Sequence, residues 1–259
     1  MNEKQLKDIE NIKELFHGDI KIELPEYPGE VHDIYIVTTE SNKIVFRFSD
    51  PETALKNAHT SRVLRKYGIP VPEVSTHRIT TKKNSYVEVY SFIEGKTLYE
   101  RNLAGISKEK ITDIYKQLYE ICLKMAKIPV DEIRYDYKKA EFDFQIKKKD
   151  LFFSAMNMSP LVVGHDDLHD KNILLDENDN ICAILDLDAI RLKPLVIFLM
   201  RMADEWQKYG FDIDSIKELA PKLYHNGKLP NIKKQVKIYE TLRNVFHGNF
   251  SQLLKKRDK

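Results

Sequence analysis

Val163-Gly164-His165-Asp166-Asp167-Leu168-His169-Asp170-Lys171-Asn172-Ile173-Leu174-Leu175 sets an Asp, four residues and an Asn in a loop that opens onto an apolar run. Fourteen residues beyond Asn172 lies Asp186, in Ile184-Leu185-Asp186-Leu187-Asp188, an apolar strand pattern ending in carboxylates. Ile173 to Asp176 has the pattern of a short strand, and Ile181 to Leu185 that of its return. Between them, Asp176-Glu177-Asn178-Asp179-Asn180 is turn chemistry, because Asn and Asp tolerate tight backbone angles. The hairpin so predicted carries Asn172 at one end and brings Asp186 back to that same end.

These residue types in this arrangement fit phosphoryl transfer. That chemistry needs a carboxylate to accept a hydroxyl proton, and an Asn and a second Asp to hold Mg²⁺ on nucleotide phosphates. Asp167 and Asn172 have the Asp-x4-Asn spacing of a kinase catalytic loop, and Asp186 stands where the metal-binding Asp follows the next strand. A competing reading makes His165, Asp167, His169 and Asp170 a zinc or iron cluster, since these types ligate such metals. That cluster leaves the hairpin and Asp186 without a role.

The pattern His-x-Asp-x-His-x-x-Asn followed by Ile-Leu-Asp resembles the aminoglycoside phosphotransferase family, relatives of choline kinase and of protein kinases. The landmarks of the resemblance run from about Gly29 to about Leu199. Arg47, in Ile44-Val45-Phe46-Arg47-Phe48, falls where the family has its phosphate-binding Lys or Arg. Gly68-Ile69-Pro70-Val71-Pro72 looks like the turn after the family's first helix, and Phe92 to Leu98 resembles the linker between its lobes. The resemblance implies an α+β, two-lobed protein-kinase-like fold. Residues 1–95 would form a small β-rich nucleotide lobe, and 96–259 a larger, mainly helical catalytic and acceptor-binding lobe.

It also implies Asp167 as catalytic base and Asn172 and Asp186 as Mg²⁺ ligands, with ATP or GTP as donor. The Ser91 carbonyl and the Ile93 amide would face the purine, and Tyr90 would stand at the back of its pocket. His165 and His169 are expected to support the loop by hydrogen bonds. Asp188, read as lying on the same strand face as Asp186, is expected to assist the metal, and Asp166 and Asp170 to be surface or turn residues. The chain also departs from the family pattern. The family's Glu in the small-lobe helix is replaced at the corresponding place by Thr60, beside His59, with Glu52 earlier on the same helix. No acid follows Pro194 in Lys193-Pro194-Leu195-Val196-Ile197, and the loop Pro28 to Asp33 has a single Gly, Gly29.

Composition narrows the rest. The chain has 259 residues, 42% hydrophobic and 32% charged, enough for a globular protein with a substantial core. A net charge of +2 sets up no strong field for nucleic acid or membrane, and the basic runs at Lys147 to Lys149 and Leu254 to Lys259 fit solvated faces or tails. Two Cys, Cys122 and Cys182, make no disulfide framework. Met1 to Lys13 lacks an apolar signal core, and Leu195 to Met200 is far shorter than the ~20 residues of a membrane span. The expectation is a cytoplasmic monomer with a small-molecule acceptor and no nucleic-acid or membrane partner.

Along the chain, helices are predicted at 3 to 16, Pro51 to Tyr67, Lys108 to Lys127, Glu141 to Phe153, Pro194 to Tyr209, Ile213 to Tyr224 and Lys233 to Leu254. Strands are predicted at Ile20 to Leu24, Ile34 to Thr38, Lys43 to Phe48 and Tyr86 to Ile93. In the helix carrying Trp206, Asp204 and Glu205 are the candidate acceptor-binding acids, suited to an amine-rich sugar or amino alcohol, and Trp206 offers a face to a quaternary ammonium; the competing reading is a helix with an exposed polar face and one buried Trp. The alternative function is a catalytically weak kinase-fold protein that binds nucleotide or a partner, in keeping with the missing helix Glu. A nucleic-acid binder lacks the interleaving of aromatic and basic residues that such a role needs.

Overall fold

The computed structural model describes residues 3–16, 18–25, 34–78, 86–133, 161–194, 198 and 206–209. The chain divides into two compact units, Met1–Ile106 with Asp170–Asp188, and Ser107–His169 with Ala189–Lys259.

The first unit is built on an antiparallel sheet of five strands: β1 (Lys21–Glu23), β2 (Ile34–Thr38), β3 (Lys43–Ser49), β4 (Val74–Arg78) and β5 (Tyr86–Ser91), in the order β1-β2-β3-β5-β4. Side chains alternate across a strand, so the two faces differ. On one face Tyr35, Val37, Phe46 and Val87 are buried together with Ile12 of helix α1 (Glu3–Glu14), and Ile9, Phe16, Ile44 and Val89 pack around them. A buried polar contact fixes the helix: the Tyr35 hydroxyl donates to Asp8 Oδ2 at 3.1 Å.

The other face carries Arg47 and Glu88, which stand directly opposite each other in the β3–β5 ladder. Helix α2 (Pro51–Lys66) packs against β4 and β5. Its start is dictated locally. Pro51 presets the first helical φ, and Asp50 caps the helix by accepting from the Thr53 N–H at 3.0 Å. Gly68, at φ +69°, turns the chain out as predicted.

A second small sheet of the same unit joins β6 (Lys96–Thr97), β8 (Ile173–Leu175) and β9 (Ile181–Ile184) in the order β6-β8-β9. The β8–β9 hairpin was expected, and its turn is built as its residues dictate. Asp176 Oδ1 accepts the N–H of Asn178 at 2.9 Å and of Asn180 at 2.8 Å, and Asp179 takes φ +61°. Helix α3 (Leu98–Leu103) starts on a Thr97/Glu100 capping box. Its Arg101 clasps the turn, with Nε 3.0 Å from Asp179 Oδ1 and Nη2 donating to the Asp176 carbonyl at 3.0 Å. At Gly95 an added Cβ would stand 2.5 Å from the Leu175 carbonyl oxygen, so only glycine lets this segment lie against β8.

In the second unit, helix α4 (Lys108–Ala126) buries Ile111, Ile114, Tyr115, Leu118, Ile121, Cys122 and Met125 and packs against β7 (Leu161–His165), which pairs with β10 (Ile190–Pro194). The apolar stripe on α4 is the one its 3.6-residue period predicts.

Three expectations need correction. The strand pattern over Tyr86 to Ile93 was expected without a neighbour on its far side; strand β4 covers that side of β5, so Tyr90 and Ser91 belong to an interior strand of the sheet. Pro194 does not open a helix. Ile190-Arg191-Leu192-Lys193 alternates with period two and forms a strand, with proline at its last position. Asp186 and Asp188 do not share a strand face: β9 ends at Ile184, Asp186 has φ +59°, and Leu187–Ala189 is a 3-10 turn. The expected helices over 141–153, 213–224 and 233–254 and the loop 28–33 lie outside the described residues. So does most of 194–209, where Phe198, Trp206 and the 3-10 turn Gln207–Tyr209 are described.

Candidate active site

In the second unit, β7 delivers the chain into the loop Asp166–His169. Gly164 permits a close approach: a Cβ there would meet the Phe198 ring at 2.7 Å. The loop backbone is then held at three successive residues. The Asp166 N–H donates to the Ala189 carbonyl at 2.8 Å, the Asp167 N–H donates to His165 Nδ1 at 3.1 Å, and the Leu168 carbonyl accepts from Trp206 Nε1 at 3.2 Å. His165 is buried, and an Nδ1 that accepts a hydrogen bond carries no proton, so its proton sits on Nε2. The Asp167 side chain is 43% exposed, and its Oδ2 lies 3.3 Å from His169 Nε2. His165 thus accepts from the loop backbone, and His169 stands beside the Asp167 carboxylate.

Trp206 does not present an open face. It is buried, packed against Tyr115 at 5.4 Å and Tyr209 at 5.3 Å between ring centroids. A cation could not stack on it without displacing these rings. Asp204 and Glu205 lie outside the described residues.

In the first unit, Asn172 closes the 3-10 turn Asp170–Asn172, and its carbonyl accepts from the Leu185 N–H at 2.9 Å. This bond closes the open end of the β8–β9 hairpin, so Asn172 and Asp186 lie at the same end. A second anchor ties β9 to the segment after α2, from the Ile184 N–H to the Pro70 carbonyl at 2.7 Å. Asp186 itself is exposed and in the left-handed region. A non-glycine residue there carries local strain, least for Asp and Asn, and such strain clusters at functional positions. Asp170 is buried at the start of its turn and is not a surface residue.

Arg47 is 6% exposed and lies in a buried polar cluster. Its Nη2 donates to Asp188 Oδ2, and its Nε lies 3.6 Å from Glu88 Oε1. Asn57, from helix α2, donates from Nδ2 to Glu88 Oε2 at 2.8 Å and to Asp188 Oδ1 at 2.6 Å, which uses both of its N–H groups. The Tyr90 hydroxyl donates to Glu88 Oε2 at 2.6 Å, and Lys56 Nζ donates to the Asp188 carbonyl at 3.3 Å.

The electrostatics follow from this geometry. Burial alone would raise the Asp188 carboxyl, but the Arg47 guanidinium and the donors from Asn57 and Arg47 outweigh it and hold the carboxyl below its ordinary range. Burial and the Glu88 charge push the Tyr90 phenol well above its ordinary value, so it stays protonated and can donate. Burial alone would lower the Arg47 guanidinium, and the surrounding acidic groups raise it instead.

Seven of the expected site residues lie in the first unit: Arg47, Tyr90, Ser91, Ile93, Asn172, Asp186 and Asp188. Asp188 is committed to Arg47 and Asn57. Ser91 remains in the sheet: it lies opposite Ile44, its N–H donates to the Glu73 carbonyl at 2.9 Å, and its Oγ accepts from the Glu73 N–H at 2.9 Å. The ladder ends there, and half-buried Ile93 lies beyond it. The acidic partners of Arg47 are Glu88 and Asp188, and neither comes from the expected helix positions: Thr60 is buried, and the one acid, Glu52, is exposed in the first turn of α2. Glu88 and Asn57 were missed. The signal was a lone acid in the apolar alternation Tyr86-Val87-Glu88-Val89-Tyr90, visible only once the β3–β5 register is known.

Among the described residues no group of three or more His, Cys, Asp and Glu side chains forms a metal cage, so a zinc or iron cluster at His165, Asp167, His169 and Asp170 finds no support. No protein-family model matches the sequence, and no curated protein matches it. Solved structures do match. A mutant of the aminoglycoside phosphotransferase APH(4)-Ia, in ternary complex with ADP and hygromycin B, superposes with a TM-score of 0.59 at 14% identity, covering 95% of this chain and 93% of that one. The chain has the aminoglycoside phosphotransferase fold. The spectinomycin phosphotransferase APH(9)-Ia, in complex with ADP and spectinomycin, shares this fold at a TM-score of 0.56 and 16% identity, over 98% of this chain and 92% of that one. The type VIII aminoglycoside-3'-phosphotransferase shares it at 0.56 and 13%, over 89% and 96%. The fold is therefore kinase-like, of the α+β class. No helix among the described residues is long and apolar enough to cross a membrane.

Proposed function

We propose that this protein is a cytoplasmic, Mg²⁺-dependent O-phosphotransferase that moves the γ-phosphate of ATP or GTP to a hydroxyl of a small molecule, an aminoglycoside-like sugar or other amino alcohol. The observation that carries the reading is the bond from the Leu185 N–H to the Asn172 carbonyl, which brings Asn172 and Asp186 together at one hairpin end, five residues in sequence beyond Asp167. The fold supports it, and two of the structures named above are phosphotransferases in complex with ADP and hygromycin B or spectinomycin.

Each role follows from side-chain chemistry. Asp167, in contact with solvent at the end of a backbone-anchored loop, accepts the proton of the acceptor hydroxyl. Asn172 and Asp186 offer hard oxygen donors, the kind Mg²⁺ takes one or two at a time while keeping phosphate and water oxygens. Bound there, the ion would neutralise charge on the transferred phosphoryl group. Arg47 stays charged at any working pH and meets phosphate with a planar fork. Tyr90, Ser91 and Ile93 would face the purine, and Asp204 and Glu205 the amines of the acceptor. The alternative, a kinase-like protein with little turnover, draws on the missing helix acid; Glu88 offers a carboxylate in its stead.

The test is nucleotide-dependent phosphate transfer, measured as ADP or GDP release with Mg²⁺ across a panel of aminoglycosides, choline, sugars and amino alcohols. Absence of transfer to every acceptor, with no nucleotide hydrolysis, would overturn the reading. Tyr90→Leu should alter the ATP/GTP preference. An unchanged ratio would leave Tyr90 only its hydrogen bond to Glu88.

A further inference from the structure

Arg47 is a buried cation, and a buried charge needs a counter-ion and satisfied hydrogen bonds. Two carboxylates meet it, and they differ. Glu88 is fully buried on the neighbouring strand, directly opposite Arg47, and is braced by the Tyr90 hydroxyl and the Asn57 amide. Asp188 is 25% exposed and sits in a 3-10 turn two residues past Asp186. A strand pair with its ladder bonds is the more rigid support.

Helix α2 reaches this cluster with two residues: Lys56, at the Asp188 carbonyl, and Asn57, whose amide binds both carboxylates at once. An acid at position 57 would put a third carboxylate against Glu88 and Asp188 and remove the amide that donates to both. A neutral double donor is what the site accepts.

Resting on the reading of Arg47 as the phosphate-binding residue, we propose that Glu88, on strand β5, positions the Arg47 guanidinium for the nucleotide phosphates, with Asn57 holding Glu88 in place. The charge that a kinase-like fold draws from its small-lobe helix is here drawn from the sheet.

A double-mutant cycle tests this on the full chain. Mg²⁺–ATP affinity is measured by calorimetry for wild type, Glu88→Gln, Arg47→Met and the double variant, together with acceptor KM and thermal unfolding. Glu88→Gln keeps the size and one oxygen to accept from Tyr90 and Asn57, removes the charge, and puts an NH2 in place of the oxygen nearest Arg47 Nε. The expected result is about a tenfold loss of nucleotide affinity when Arg47 is present, less than about twofold when the chain already carries Arg47→Met, and an unchanged acceptor KM. Equal losses in both backgrounds, or none in either, would overturn the role of Glu88. An Arg47→Met protein that binds nucleotide as well as wild type overturns the phosphate role of Arg47 and the proposal with it. If Glu88→Gln does not fold, Glu88→Asp enters the same cycle: it keeps the charge, withdraws it by one methylene, and is judged by the same non-additivity.

Discussion

Asp188 and Asp167 both lie in short loops beyond a strand, and their surroundings differ in kind. Asp188 is ion-paired to Arg47, hydrogen-bonded by Asn57, and held below the ordinary carboxylate range. Asp167 keeps 43% of its side chain in solvent and stands beside an imidazole. A carboxylate fixed to a guanidinium is a poor proton acceptor, because protonation must break the pair. One facing solvent at the end of an anchored loop can approach a ligand hydroxyl. The contrast separates two tasks: holding charge, which suits burial and permanent pairing, and taking a proton, which suits exposure on a rigid backbone.

The sharpest break comes from Asp167. Asp167→Asn should lower transfer by about 10²–10⁴-fold, the usual contribution of a general base, while nucleotide affinity is retained. Single-turnover kinetics beside calorimetry measure both. A variant with near wild-type turnover would move the proton acceptor elsewhere. Asp186→Ala should instead act on the nucleotide. Its affinity should fall to the value measured without Mg²⁺, and affinity unchanged in both conditions would place the metal elsewhere.

What could be read in the sequence divides along the same line. The loop and the hairpin were legible because their determinants are local: Asp176 caps its own turn, Asp179 takes the positive φ, and apolar strands flank them. Helices α2 and α4 were legible from Gly68 at the end of the first and the apolar stripe on the second. The Arg47 cluster was not. It depends on which residue of β5 faces Arg47, and that register is a long-range property that a single strand pattern does not carry. For Trp206 the helix pattern leaves two readings, an acceptor face and a single buried Trp, and what decides for burial, a partner such as the Leu168 carbonyl, is distant in sequence.

Trp206 allows a smaller test of the rigid-loop half of the contrast. Trp206→Phe keeps an aromatic ring against Tyr115 and removes the donor to Leu168. One hydrogen bond contributes about 0.5–1.5 kcal/mol, so kcat should fall by up to roughly tenfold with nucleotide affinity intact. Unchanged kcat would mean that the other two backbone anchors, at Asp166 and Asp167, hold the loop alone.

The smallest expected effect tests the charge-holding half through acid. The Asp188 carboxyl lies below its ordinary 3.8 in the folded protein and returns to that value on unfolding. A group depressed by folding contributes stability that is fully present above the unfolded value and is lost as pH falls through the folded one. Asp188 should therefore add a constant increment above pH 3.8, and that increment should shrink below it, at a slope no steeper than ~1.4 kcal/mol per pH unit for one proton. Asp188→Asn removes the titrating group and keeps an oxygen facing Arg47. Denaturant unfolding of wild type and variant, from neutral pH down into the acid range, should show a gap that is constant near neutrality and narrows below pH 3.8. A gap of the same size at every pH would mean that the Asp188 carboxyl titrates alike in the folded and unfolded chain, and the ion pair with Arg47 would then not separate it from Asp167.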